Sequence, residues 1–189
     1  MSKTSRRHVL KQAAAAWLAG SLSAEAAQEV HKELRGASAR PRLFTAAEWK
    51  SLRVLCDLII PKDEVSAGAL EAGAPEFIDL LASNNKRLAT LFTGGLAWLD
   101  HHAGRPFAEL KPEQQTAILD QIAFRKNDSP ELGPGIRFFE WARRMTVDAF
   151  YTSPVGIQDV GFKGNTAMGT FHVPAEALKY ALDRSPFRS

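Results

Sequence analysis

Residues 150–165 read FYTSPVGIQDVGFKGN, the stretch of the chain whose residue types point most directly to chemistry. Pro154, Gly156, Gly161 and Gly164 alternate with Asp159, Lys163 and Asn165 behind an aromatic-rich segment. Glycine lets a backbone turn tightly or approach a ligand closely. Such a loop can line an active site, cradle a phosphate or meet a partner. The glycines at 156, 161, 164 and 169 lack the Lys-Ser/Thr pair that completes a phosphate-binding loop. The sequence also has no C-x-x-C-H, no H-E-x-x-H, no G-x-S-x-G, and no G-x-G-x-x-G opening a helix after a strand. Covalent haem, a zincin centre, a nucleophile elbow and the usual dinucleotide fingerprint are thereby missing.

The other chemistry-bearing residues read as structural. His101 and His102 are neighbours. On a helix they point about 100° apart, so they cannot grip one metal as an i, i+4 pair does. They fit a solvated helix end, where the dipole favours positive charge. His172 stands alone. Asp57, Asp63, Glu64, Glu76 and Asp79 gather around PKDE and read as loop and helix-capping carboxylates. Cys56 is the only cysteine and lies on an apolar stripe, so it reads as a small buried hydrophobe. Arg143 falls between Phe139 and Val147 in an apolar sector. Its head is expected to pair with a carboxylate inside the domain, or to reach a partner or ligand.

These residues need elements to hold them. Thr45 and Glu48 form a capping box behind Phe44, and open a helix carrying Trp49, Leu52, Leu55, Cys56 and Ile59 on one face. Pro61 ends it. Pro75 suits the first turn of a second helix, with Phe77, Leu80 and Leu81 apolar. A third helix runs over 86–103. Gly94-Gly95 at its middle predicts a kink or the close approach of another helix. A fourth starts at Pro112, with Ala117, Ile118, Ile122 and Phe124 as its apolar members. The fifth, IRFFEWARRMTVDAFY, carries two adjoining stripes. Phe138, Trp141, Ala142, Met145 and Ala149 form one; Ile136, Phe139, Val147 and Phe150 form the other. At 100° per residue they cover roughly 240° of the circumference, so this helix is central to its core or covered by a partner. A short turn at GIQDVG and a last helix in VPAEALKYALDRS follow. No segment alternates as a strand does, and the fold class is all-α: a compact bundle of five or six helices with a Gly-rich C-terminal loop region.

The N-terminus reads as an export address. KTSRRHVLK precedes QAAAAWLAGSLSA, and Ala24-Glu25-Ala26 fits a small-x-small cleavage site. Ser5, Arg6, Arg7, Leu10 and Lys11 match the twin-arginine motif S-R-R-x-F-L-K, with Val9 where Phe is preferred. Residues 1–26 are thus expected to be a signal peptide, 27–43 a linker, and 44–189 the helical domain. Cleavage would remove four of the 24 basic and one of the 21 acidic residues, leaving 20 of each. The basic balance then belongs to the leader, and no charge argument for nucleic acid remains.

Three blocks carry a family resemblance: LIIPKDEVSAGALEAGAPEFIDLL (58–81), RPFAELKPEQQTAIL (105–119) and FFEWARRMTVDAFYTSPVGIQDVGFKGN (138–165). In this order and spacing they resemble the gluconate 2-dehydrogenase subunit 3 family, the small subunit of exported flavin-dependent sugar and alcohol dehydrogenases. F-Y-T-S-x-x-G-x-x-x-x-G-[FY]-x-G-N is the most specific block. Ser66 departs from an expected Pro, and Lys111 from the Ser or Thr usual before Pro112. The resemblance implies a non-catalytic accessory subunit that binds no cofactor itself. Its large partner, of the glucose–methanol–choline class, would carry FAD, and a c-type cytochrome would take the electrons in complexes that include one. The small subunit would bring the twin-arginine signal at Arg6 and Arg7, engage the translocase, escort the folded flavoprotein to the periplasm and stabilise it. Any membrane association would come through the complex. The expected partner interface joins Phe139, Arg143, Phe150, Tyr151, Gly156, Gly161, Phe162, Gly164 and Asn165. Two other readings stay open: a stand-alone exported binding or structural domain, and an enzyme using Asp159, Lys163 or His172.

Overall fold

The computed structural model describes residues 24–34, 40–161 and 173–185. Among them are eight α-helices and two 3-10 turns, with no strand. The helices are α1 (Ala24–Leu34), α2 (Ala46–Ile59), α3 (Ala74–Ser83), α4 (Lys86–Ala103), α5 (Pro112–Ile122), α6 (Gly133–Tyr151), α7 (Pro154–Asp159) and α8 (Ala175–Arg184). The all-α expectation holds. The five long helices from α2 to α6 are those the periodicity predicted, and α1, α7 and α8 raise the count beyond five or six.

Local chemistry sets the ends of these helices. Glu48 N–H donates to Thr45 Oγ1 at 3.3 Å, and Thr45 N–H donates back to Glu48 Oε2 at 2.8 Å. The capping box therefore satisfies two backbone donors at the start of α2. After α2, Ala69 N–H donates to Ile60 carbonyl at 2.8 Å, folding the 61–73 loop back onto the helix end. A Cβ on Gly68 would lie 2.7 Å from Lys62 N, so only glycine allows this approach. Asn85 caps α4 by accepting from Arg87 and Leu88 N–H, and Gly104 ends it at φ 69°.

The central helix is α6, which packs against α2, α3, α4, α5 and α7. Of the two alternatives the sequence left for it, burial in the core is the one observed. Its crossing with α4 explains Gly95 but not Gly94. Phe138 sits where a Cβ on Gly95 would come within 2.0 Å of its ring, while Gly94 has nothing within 4 Å. The contact is reciprocal: Trp98 of α4 covers Gly135 of α6, whose Cβ would lie 2.5 Å from the indole. Phe138 also meets Phe92 edge-on at 5.7 Å, and Phe92 meets Phe44 at 6.5 Å. Phe44 thus packs across to α4.

Three expectations need correction. The segment 27–43 is not a plain linker: α1 runs through Leu34, with Val30 and His31 buried. His31 lies 5.3 Å from the Phe77 ring, and its Nε2 is 3.1 Å from Thr152 Oγ1. One short apolar stripe in a polar segment suffices when a neighbouring helix offers a face for it. Second, α5 ends at Ile122, and both Ala117 and Phe124 are exposed. Leu119 and Gln115 are buried instead, with Gln115 Nε2 donating to Phe107 carbonyl at 3.0 Å. Third, Asp79 is no solvated carboxylate. It is 4% exposed and accepts backbone N–H groups of Arg42 at 2.7 Å and Leu43 at 3.0 Å. That carboxylate ties the chain entering α2 onto α3.

Candidate docking site

The residues of the 150–161 stretch come together as a turn that closes on itself. Ser153 Oγ donates to Phe150 carbonyl at 2.7 Å and accepts Gly156 N–H at 3.1 Å. It thereby ends α6 and caps α7 with one hydroxyl. A Cβ on Gly156 would fall 2.1 Å from Phe150 carbonyl oxygen, and Gly161 takes φ 61°. The Ser153-x-x-Gly156 spacing is therefore demanded by backbone geometry.

Of the expected interface residues, Phe139, Phe150 and Gly156 are buried in the domain. Arg143, Tyr151 and Gly161 are exposed. Phe162, Gly164 and Asn165 lie outside the described residues, as do Lys163, His172, Arg6 and Arg7. Arg143 is not held inside the domain. Its guanidinium rests over the Phe139 ring at 5.8 Å and faces solvent, a cation–π arrangement that covers the apolar face.

The remaining candidates take structural places. His102 stacks on Trp98 at 4.7 Å and 13°, with Nε2 3.3 Å from Gln121 Oε1. His101 is exposed on the last turn of α4. Cys56 is fully buried, and desolvation pushes its thiol up to about 12 despite the Thr146 hydroxyl 3.5 Å away. Asp63 accepts N–H groups of Ser66 and Val65, which hold its carboxyl below the ordinary range. Among the described residues, no three His, Cys, Asp or Glu side chains are grouped as a metal site, and no helix is long and apolar enough to cross a membrane.

One concave feature among the described residues has no counterpart in the sequence expectations. It is an open groove of about 1230 Å³ between α4 and α6. Leu91, Gly94, Trp98 and Trp141 give it an apolar floor, and Leu91, Trp98 and Trp141 are each half-buried. Its rim carries Lys86, Arg87, Arg125 and Arg137 against Asp128 and Glu140. Arg125 pairs with Glu140 through both carboxylate oxygens, which lowers the Glu140 carboxyl and raises the Arg125 guanidinium. Lys86, Arg87 and Arg137 make no ion pair with a described residue. A sequence signal for the groove did exist. Lys86 and Arg87 open α4, and cations at a helix N-terminus run against its dipole. Residues placed against local preference are where function is to be sought.

The family model for gluconate 2-dehydrogenase subunit 3 matches residues 46–170, which span α2 through α7 and the segment beyond it. No curated protein and no solved structure matches the chain.

Proposed function

The chain belongs to the gluconate 2-dehydrogenase subunit 3 family, and on that premise we propose that it is the non-catalytic small subunit of an exported FAD-dependent sugar or alcohol dehydrogenase. The family match over most of the domain carries this reading, since the family is one of dehydrogenase-complex subunits. The large subunit would hold FAD and oxidise the substrate, and a c-type cytochrome would accept electrons in complexes that contain one. A flavoprotein must acquire its FAD in the cytoplasm. An Arg6-Arg7 leader on a tightly bound small subunit would let the twin-arginine translocase carry both chains, already folded, to the periplasm. The α6–α7 turn fits this division of labour. Its glycines and Ser153 are engaged in shaping the backbone, which is the work of a scaffold.

The test is co-expression of the full chain, tagged, with a candidate FAD-dependent dehydrogenase of its own organism. A yellow large subunit should co-purify, and periplasmic activity should disappear when Arg6 and Arg7 are both changed to Lys. Export of an active flavoprotein without this chain would refute the escort role. A well-behaved monomer that captures no flavoprotein would favour the stand-alone domain.

A further inference from the structure

We infer that the α4–α6 groove is where this chain receives an extended segment of its flavoprotein partner, one with apolar side chains flanked by carboxylates. The inference rests on the subunit reading above and adds the surface and the chemistry of its occupant. Three observations carry it. The groove, at about 1230 Å³, exceeds the usual span of small-molecule pockets, roughly 300–1,000 Å³, and is open to solvent. Its floor presents two tryptophans that the domain leaves half-buried, and Trp is enriched among the anchors of protein interfaces. Its rim holds three cations, Lys86, Arg87 and Arg137, without an ion pair among the described residues. An occupant that satisfies both floor and rim needs aliphatic or aromatic side chains between acidic ones.

Gly94 supplies a clean test. It faces the groove, and a Cβ there meets nothing within 4 Å. Gly94→Trp should therefore place its first side-chain carbon without a clash and project its indole into the groove. The full chain carrying Gly94→Trp, and separately the double variant Arg87→Glu/Arg137→Glu, are co-expressed with the flavoprotein. Affinity is then measured by interferometry at low and high salt. Each variant should bind at least tenfold more weakly than wild type. Because the double variant sets carboxylates against the acidic occupant, its residual binding should strengthen with salt where that of wild type weakens. Gly94→Ala should bind as wild type does.

If wild type binds and both variants stay within twofold of it, the groove assignment is overturned while the subunit reading stands. If wild type captures no flavoprotein at all, the subunit reading fails first. Should the variants change self-association in sedimentation and leave flavoprotein binding intact, a second copy occupies the groove and the inference is likewise overturned. The charge-reversal variant alters only exposed side chains, so it decides the matter even if Gly94→Trp folds poorly.

Discussion

Two adjacent glycines in one helix should respond to alanine with opposite signs. Both lie in the interior of α4, where replacing glycine by alanine favours the helix by up to about 1 kcal/mol. At Gly94 the added methyl meets nothing within 4 Å, so this gain should be realised in full. At Gly95 the methyl would lie 2.0 Å from Phe138 Cδ2 and 2.1 Å from Cγ. Ordinary carbon–carbon contact begins near 3.5 Å, so the ring must retreat by about 1.5 Å. Cγ moves only if the χ1 torsion or the backbone moves, and Phe92 blocks one side of the ring at a centroid distance of 5.7 Å. Overpacking of this kind typically destabilises by about 1–3 kcal/mol. Net of the helix gain, Gly95→Ala should lose up to about 2 kcal/mol. For a domain of this size that is a Tm lower by up to about 8 °C, against a rise of up to about 4 °C for Gly94→Ala. Paired thermal and urea melts would measure both. If the two variants shift in the same direction by similar amounts, the close crossing of α4 and α6 at Gly95 is wrong.

Asp79→Ala should lose about 2–4 kcal/mol in urea melts, because it strips the acceptor from two backbone donors in a buried place; Asp79→Asn, which keeps one acceptor oxygen, should lose less. Cys56 should resist a thiol reagent at pH 8 in the folded protein and react at once in denaturant, since burial raises its thiol to about 12. Stability should be level between about pH 5 and pH 8, fall below that window through the carboxylates, and fall above it as the unfolded Cys56 thiol ionises while the buried one stays protonated. The Glu140 carboxyl is lowered by its Arg125 bond, and that of Asp63 by the N–H groups of Ser66 and Val65. Both bind protons more weakly folded than unfolded, so their contribution is present above the ordinary carboxylate values and is lost as pH drops through the folded ones. Ser153→Ala should destabilise by about 1–2 kcal/mol, read by the same melts, with Ser153→Thr recovering part of it.

Much of the fold was legible because its signals are local. Thr45, Glu48 and Pro75 set helix ends within three or four residues of themselves. The apolar stripe of α6 was enough to make it central. What escaped depends on distant partners. Asp79 resembled its four acidic neighbours, and only the approach of residues 42 and 43, 37 and 36 positions away, makes it a buried acceptor. Periodicity could show that Gly94-Gly95 was unusual, but not that Phe138 would seat on the second glycine and leave the first bare. Arg143 looked embedded on a helical wheel because Phe139 and Val147 flank it. A wheel has no way to show that a guanidinium lies over the ring and outside it. The α4–α6 groove belongs to neither helix alone, so no single-helix pattern draws it. Lys86 and Arg87, set against their own helix dipole, were its one mark in the sequence.

The docking of α1 gives the domain a fixed collar. Val30 and His31 grip α3 and the end of α6, and both lie C-terminal to Ala26. A cut after Ala26 would leave both grips on the domain, so the residues before it can be removed without loosening α1 from α3. Trimming past Leu34 is another matter. It would strip the cover from Phe77, a fully buried ring, and turn a closed helical face into an adhesive one.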